Sequence, residues 1–263
     1  MKAFVIYLPE KPHSVEHSDY MIETLLDYGI DAEKFRGVPG DAALSMVQKD
    51  KRTLYPYSIK SRTLPEDEIK ELIRPEVYES FKQTHLYRIS KRELIGDDRD
   101  KLSLPGVIGC FYSHYNLWRK CIELDKPIMI FEDDVKFFRG WEPIEWDDVL
   151  VLSLGKTSFL KNPWKTYLET PSGNPQPVTW GNFSMPGASG YAIKPRAARG
   201  LVKFYKNYFY PADNAINQFL CRIQVHTYLM GRNTLPEEGN ISMTRYKSWN
   251  MTQEEVISQE ETE

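Results

Sequence analysis

The chain has 263 residues, 41% of them hydrophobic and 27% charged, which supports one sizeable α/β core and leaves little room for two full domains. Its formal net charge of −3 argues against a surface built throughout for nucleic acid. No apolar run approaches the ~20 residues that span a bilayer. Met1–Glu10 also lacks the apolar length and small-residue cleavage site of a signal peptide, so a cytoplasmic location is expected.

Residues 2–8 are apolar and partly β-branched, bounded by Pro9, and read as a buried first strand. Residues 20–28 carry Met21, Leu25, Leu26 and Tyr28 at helical spacing, with Gly29 as a stop. A strand over 33–38 would complete a βαβ opening. From 39 to 103 charges are dense and apolar runs short, with helical pieces expected over 66–73 and 76–87; the segment reads as an insertion or flap. The clearest helix covers 105–123. There Val107, Cys110, Phe111, His114, Leu117, Trp118, Cys121 and Ile122 share one face. Residues 128–131, Ile-Met-Ile-Phe, form a wholly apolar strand, and 149–154 another. Residues 156–184 look like an irregular loop, 187–193 a small-residue approach into a strand, and 195–205 a helix opened by Pro195. A further helix is expected over 213–220 and a last strand over 225–229. The acidic end, 254–263, reads as a disordered tail, which leaves 1–253 as a single domain. Cys110, Cys121 and Cys221 are odd in number and set among apolar neighbours, the pattern of small buried hydrophobes rather than of disulfides or zinc ligands.

The most informative feature is Glu132-Asp133-Asp134, placed directly after the Ile-Met-Ile-Phe strand. Ligands of open α/β sheets sit at the carboxyl ends of strands. Three adjacent carboxylates repel one another, and a divalent cation relieves that repulsion. Such a cation also serves the diphosphate of a sugar nucleotide, both in binding and as leaving group. The plainer reading is a solvated acidic turn; position after a buried strand makes the two readings equal.

The run Leu104-Pro105-Gly106-Val107-Ile108-Gly109-Cys110-Phe111-Tyr112-Ser113-His114, then Leu117-Trp118, then Ile130-Phe131-Glu132-Asp133-Asp134-Val135, resembles the core signature of glycosyltransferase family 25. Further points of likeness are the opening strand, Gly37-Val38-Pro39-Gly40, the Gly-Tyr-Ala-Ile around Tyr191, and Pro211-Ala212-Asp213. The resemblance implies a GT-A-like α/β fold, a mostly parallel central sheet flanked by helices, binding a nucleotide sugar (a UDP-sugar) and a divalent metal, Mn²⁺ or Mg²⁺. It implies Asp134 as metal ligand, with Glu132 on the metal, its waters or the donor ribose, and Asp133 orienting the site. Donor contacts from Tyr7, Leu8, Gly40, Ser113 and His114 follow from the same likeness, as does an inverting mechanism. Asp213 is the candidate base, against its plainer reading as a helix N-cap. His114 lies on an apolar helix face, so a satisfied core histidine competes with a donor role. His226 is a third metal-ligand candidate. Where relatives carry basic residues after the first strand, this chain has Pro9-Glu10-Lys11-Pro12-His13-Ser14, with Lys11 as the evident substitute.

His13-Ser14-Val15-Glu16-His17 also spells the H-x-x-E-H of inverted zinc proteases. Pro12 and the short lead-in speak against a helix there, so the match reads as chance. Two basic stretches interleave with tyrosines: Lys49, Lys51, Arg52, Lys60 and Arg62 with Tyr55 and Tyr57, and Lys194, Arg196, Arg199, Lys203 and Lys206 with Tyr205, Tyr208 and Tyr210. They are either solvated faces or a track for a polyanion. Two acceptors therefore stand open, a lipopolysaccharide-type saccharide and a hydroxymethylated base of DNA, with the basic and aromatic stretches leaning slightly to DNA. A catalytically silent sugar-nucleotide or glycan binder is the reading from another class.

Overall fold

The computed structural model describes residues 1–54, 104–137, 140–154, 175–177, 185, 187–225 and 230–233. The expected helices over 66–73 and 76–87, the tail, and His226 lie outside these residues. β1 (Lys2–Tyr7) and β2 (Ala32–Arg36) are parallel neighbours joined by α1 (Pro12–Asp27). α1 begins earlier than the apolar spacing predicts. Pro12 sits in its first turn, where a missing N–H costs nothing; Met21 and Leu25 are the face it buries, each worth ~1.5–3 kcal/mol of transfer free energy.

α2 (Gly40–Asp50) and the two-residue β3 (Thr53–Leu54) come next. The first part of the 39–103 segment is thus packed into the body of the fold: Ala43 is fully buried in the main core beside residues of α3 (Leu104–Leu124). After α3 come β4 (Ile128–Glu132), β5 (Val135–Phe137), β6 (Val149–Leu154), β7 (Gln176–Pro177) and β8 (Gly190–Ile193). α4 (Pro195–Phe204), β9 (Tyr208–Phe209), α5 (Ala212–Ala215), β10 (Ile223–Val225) and β11 (Gly231–Asn233) close the described chain.

The main sheet runs β2-β1-β4-β8-β6-β10-β7, with β11 on β6 and β5 on β11. β1 is parallel to β2 and β4, and β6 is parallel to β10 and β11, while β8 lies antiparallel between β4 and β6. Six strands therefore share one direction. β3 pairs with β9 in a separate small sheet. Alternation along the strands sends Phe4, Ile130, Val151 and Tyr191 into the core under α2, α3 and α4. Ala3, Val5, Met129, Phe131 and Leu152 face the other way, with Met21 and Leu25 of α1. Both faces are covered, which is why β4 carries no polar residue before Glu132.

One predicted helix is much shorter than expected. Instead of spanning 213–220, α5 stops at Ala215, and Ile216 is already extended at ψ 103°. Asn217 supplies the reason. Its side chain donates to the Ala215 carbonyl and accepts from the Phe219 N–H, offering the backbone local bonds in place of a helical ladder.

Candidate active site

β4 pairs with β1 so that Ile6 is opposite Glu132, and the chain then turns through Asp133 and Asp134 before β5. The Glu132 N–H donates to the Ser189 carbonyl at 2.8 Å, anchoring the strand end to the entry of β8. The neighbouring Gly190 must be glycine: a Cβ there would lie 2.6 Å from Ser153 Cβ and 2.8 Å from Phe131 Cδ1.

The Glu132 carboxylate meets α3. Its Oε1 lies 3.2 Å from His114 Nε2 and 3.4 Å from Cys110 Sγ, two side chains one helical turn apart on the same face. His114 is fully buried, stacked on the Tyr191 ring at 19°, with Nδ1 2.9 Å from the Tyr191 hydroxyl. Trp118 Nε1 donates to that same hydroxyl at 2.9 Å. Burial pushes the Glu132 carboxyl up, but the hydrogen bond from His114, helped by the Cys110 thiol, outweighs it and holds Glu132 below the usual carboxylate range. The Cys110 thiol is pushed far up by burial first, then by Glu132, Asp213 and Asp134. Those three carboxylates therefore act on one partly buried thiol.

Asp133 faces the opposite side, toward the start of α1. The Ser14 hydroxyl bonds its carboxylate and accepts the Leu8 N–H at 2.8 Å, tying the ends of β1 and β4 together. Burial lifts Asp133 to about 6, against the Ser14 bond and with the help of the Glu132 charge. Asp213 is not the N-cap of its helix; Pro211 holds that position. The Asp213 Oδ1 accepts from the Asn214 backbone and side-chain nitrogens, both at 2.9 Å, and burial, with Glu132 adding charge, raises its carboxyl.

Glu132, Asp134, His114 and Asp213, picked from the sequence, thus come together around Cys110, while Asp133 turns away toward α1. Ser113 and Gly40 serve a nearby joint. Ser113 Oγ donates to the Gly109 carbonyl at 2.7 Å and accepts from the Val38 N–H at 2.9 Å. Gly109 lies so close beneath that loop that a Cβ would be 2.4 Å from the Val38 carbonyl oxygen and 3.4 Å from Gly40 N. The Tyr7 ring carries the Lys34 ammonium over its face at 5.1 Å. Ser14, Tyr191, Trp118 and Cys110 were not singled out as site residues. Cys110 and His114 stood at i, i+4 on a legible helix, which was the signal for the pair; Cys110 is a polar partner of Glu132 and not merely a small hydrophobe.

Among the described residues one group of three metal-capable side chains gathers, Cys110, His114 and Glu132, with their ligating atoms within 4.8 Å of one another. Sulfur and imidazole suit softer ions, whereas the diphosphate of a sugar nucleotide is served by a hard, oxygen-seeking cation. The carboxylates Glu132, Asp134 and Asp213 have that oxygen chemistry and suit a hard divalent ion by donor type, though they do not gather as a group of three ligating atoms among the described residues. The zinc-protease spelling gains its helix, since His13 and His17 share α1 with ring centroids 6.2 Å apart. No third metal-capable group joins them among the described residues. Burial, then His17 and Lys11, lowers His13.

The arginines of the basic stretches are paired, Arg52 inside the fold and Arg196 and Arg199 on its surface. Arg52, its side chain 7% exposed, donates to the Tyr205 carbonyl at 2.6 Å and lies 4.2 Å above the Tyr115 ring. Arg196 pairs with buried Asp148 at 2.6 Å, Arg199 with Asp125 at 3.2 Å, and Lys194 donates to the Trp146 carbonyl. Lys60, Arg62, Tyr55 and Tyr57 lie outside the described residues. No helix among those described is long and apolar enough to cross a membrane.

A mainly parallel sheet flanked by helices, with carboxylates collected at its strand ends, defines a Rossmann-like transferase architecture. The sequence model of glycosyltransferase family 25, described as an LPS biosynthesis protein, matches residues 1–216, and the chain belongs to that family. It is a glycosyltransferase, taking a sugar from a nucleotide-sugar donor to a saccharide acceptor. No curated protein matches it.

Proposed function

We propose that this chain is a metal-dependent, inverting GT-A-type enzyme that transfers a sugar from a UDP-sugar to a hydroxyl of a lipopolysaccharide-type saccharide. The observation that carries the reading is the convergence of Glu132, Asp134 and Asp213 at the end of β4, close enough to act together on Cys110. Glu132 and Asp134 would hold a divalent ion such as Mn²⁺ or Mg²⁺; bound there, it supplies positive charge for the donor diphosphate as that group leaves. Tyr7 and Leu8 at the end of β1, and Gly40 at the start of α2, border the nucleotide. Asp213, raised by burial, is a better proton acceptor than an ordinary carboxylate. It takes the proton of the acceptor hydroxyl as that oxygen attacks the anomeric carbon from the face opposite the diphosphate. The family description points to a lipopolysaccharide-type acceptor. Arg52 is engaged inside the fold, and the exposed Arg196 and Arg199 are paired with Asp148 and Asp125, which weakens the support for a nucleic-acid track.

The test is transfer of labelled sugar from a panel of nucleotide donors, with Mn²⁺, to truncated lipopolysaccharide and to hydroxymethylated DNA side by side. Label on the saccharide is expected; label on DNA alone would overturn the acceptor reading. Neither transfer nor donor hydrolysis from any donor would leave the silent binder standing. Asp134→Ala should abolish both reactions in a folded protein, and Asp213→Asn should lower kcat while donor binding persists.

A further inference from the structure

The hydrogens of the buried chain Trp118–Tyr191–His114–Glu132 can be counted. An indole N–H only donates, so Trp118 makes the Tyr191 hydroxyl an acceptor at 2.9 Å. Tyr191 is fully buried, and its hydroxyl makes no other hydrogen bond among the described residues than that to His114 Nδ1 at 2.9 Å. If Nδ1 carried a hydrogen, the hydroxyl would receive two N–H donors and its own hydrogen would be stranded in the core, a cost comparable to a lost hydrogen bond. Nδ1 is therefore the acceptor, and the ring hydrogen sits on Nε2, which donates to Glu132 Oε1 at 3.2 Å.

We propose that Tyr191, pinned by Trp118, sets His114 as the Nε2–H tautomer, and that His114 is a positioning residue that holds one oxygen of Glu132 so that the other is presented to the donor side. Both His114 and Cys110 bond the same oxygen, Oε1, while Oε2 takes no hydrogen bond from the described residues. The Glu132 side chain stays 28% exposed, so that oxygen is open to a ligand. The same count speaks against the Cys110–His114–Glu132 group as a soft-metal site. A metal on Nε2 would put the hydrogen on Nδ1 and strand the Tyr191 hydrogen again. Removing an outer hydrogen-bond partner of a metal-binding group typically costs about 10- to 100-fold in metal affinity or activity, and a donor bound through that metal would weaken with it.

The orientation of Glu132 toward the donor rests on the function proposed above; the tautomer does not. Long-range ¹H–¹⁵N spectra of the full chain read the tautomer directly, with no substrate present. A protonated Nε2 and bare Nδ1 at His114 is the expected pattern. A protonated Nδ1, or a thiolate-to-metal charge-transfer band on adding Co²⁺, overturns the proposal even in an active enzyme. The second arm is donor binding. His114→Leu should weaken it about 10- to 100-fold, and His114→Gln, whose amide N–H reaches the Nε2 position, should restore most of the loss. Tyr191→Phe should leave both tautomers populated and weaken donor binding in the same direction. Equal losses in the Leu and Gln variants, both folded by circular dichroism, would refute positioning through the hydrogen bond while leaving the transferase reading intact.

Discussion

Asp133→Asn separates the electrostatic state of the strand-end turn from its covalent shape. Burial raises the Asp133 carboxyl from 3.8 to about 6, with the Ser14 bond opposing and Glu132 adding to the shift. A rise of roughly two units corresponds to about 3 kcal/mol of disfavoured charge, halved to about 1.5 kcal/mol by solvent screening of the partly exposed group. The sign follows from proton binding. Between pH 3.8 and about 6 the folded chain holds a proton that the unfolded chain has lost, so stability falls as pH rises through that window and the penalty is complete above it. Asparagine removes the charge and keeps an oxygen for the Ser14 hydroxyl, so the link to Leu8 survives. In metal-free buffer with chelator, Asp133→Asn should raise Tm by roughly 3–6 °C near pH 8, taking about 2–4 °C per kcal/mol for a chain of this size. Near pH 4.5 the gain should fall to about a third, because Asp133 stays protonated in the folded chain while the unfolded chain has already lost most of its proton. A gain of the same size at both pH values, or a loss near pH 8, would refute the assignment of burial as the dominant cause.

Gly109→Ala places a Cβ 2.4 Å from the Val38 carbonyl oxygen, an overpacking that should cost about 1–3 kcal/mol in urea unfolding; wild-type stability would mean that α3 and the loop before α2 separate easily. Arg52→Ala leaves the Tyr205 carbonyl at the end of α4 without its charged donor, and a loss of about 1.5–3 kcal/mol is expected. An unchanged urea midpoint would return Arg52 to the solvated surface. The raised Cys110 thiol should resist iodoacetamide near pH 8 in the folded protein and react on unfolding, as read by peptide mass spectrometry. Labelling in the folded state at the unfolded rate would contradict a thiol held protonated beside three carboxylates.

The sheet strands and long helices were legible because their residues repeat a period that burial enforces. The apolar run before Glu132 is required by a strand covered on both faces, and the face from Val107 to Ile122 by a helix laid on it. The start of α1 was less so: Pro12 reads equally as a loop residue or as a first-turn residue, and only docking against β1 and β2 chooses. The short α5 escaped a periodic reading because Asn217 competes for the backbone with a side chain whose partners are set by the local fold. The composition and order of residues placed the acidic triplet at a strand end and named its family. How the triplet is divided was decided in three dimensions. Glu132 turns to a histidine 18 positions earlier, Asp133 to a serine in the first helix, and Asp213 arrives from the far end of the chain. Such pairings depend on which strand lies beside which, and no local periodicity encodes the placement of β8, whose Tyr191 completes the site between two strands that run the other way.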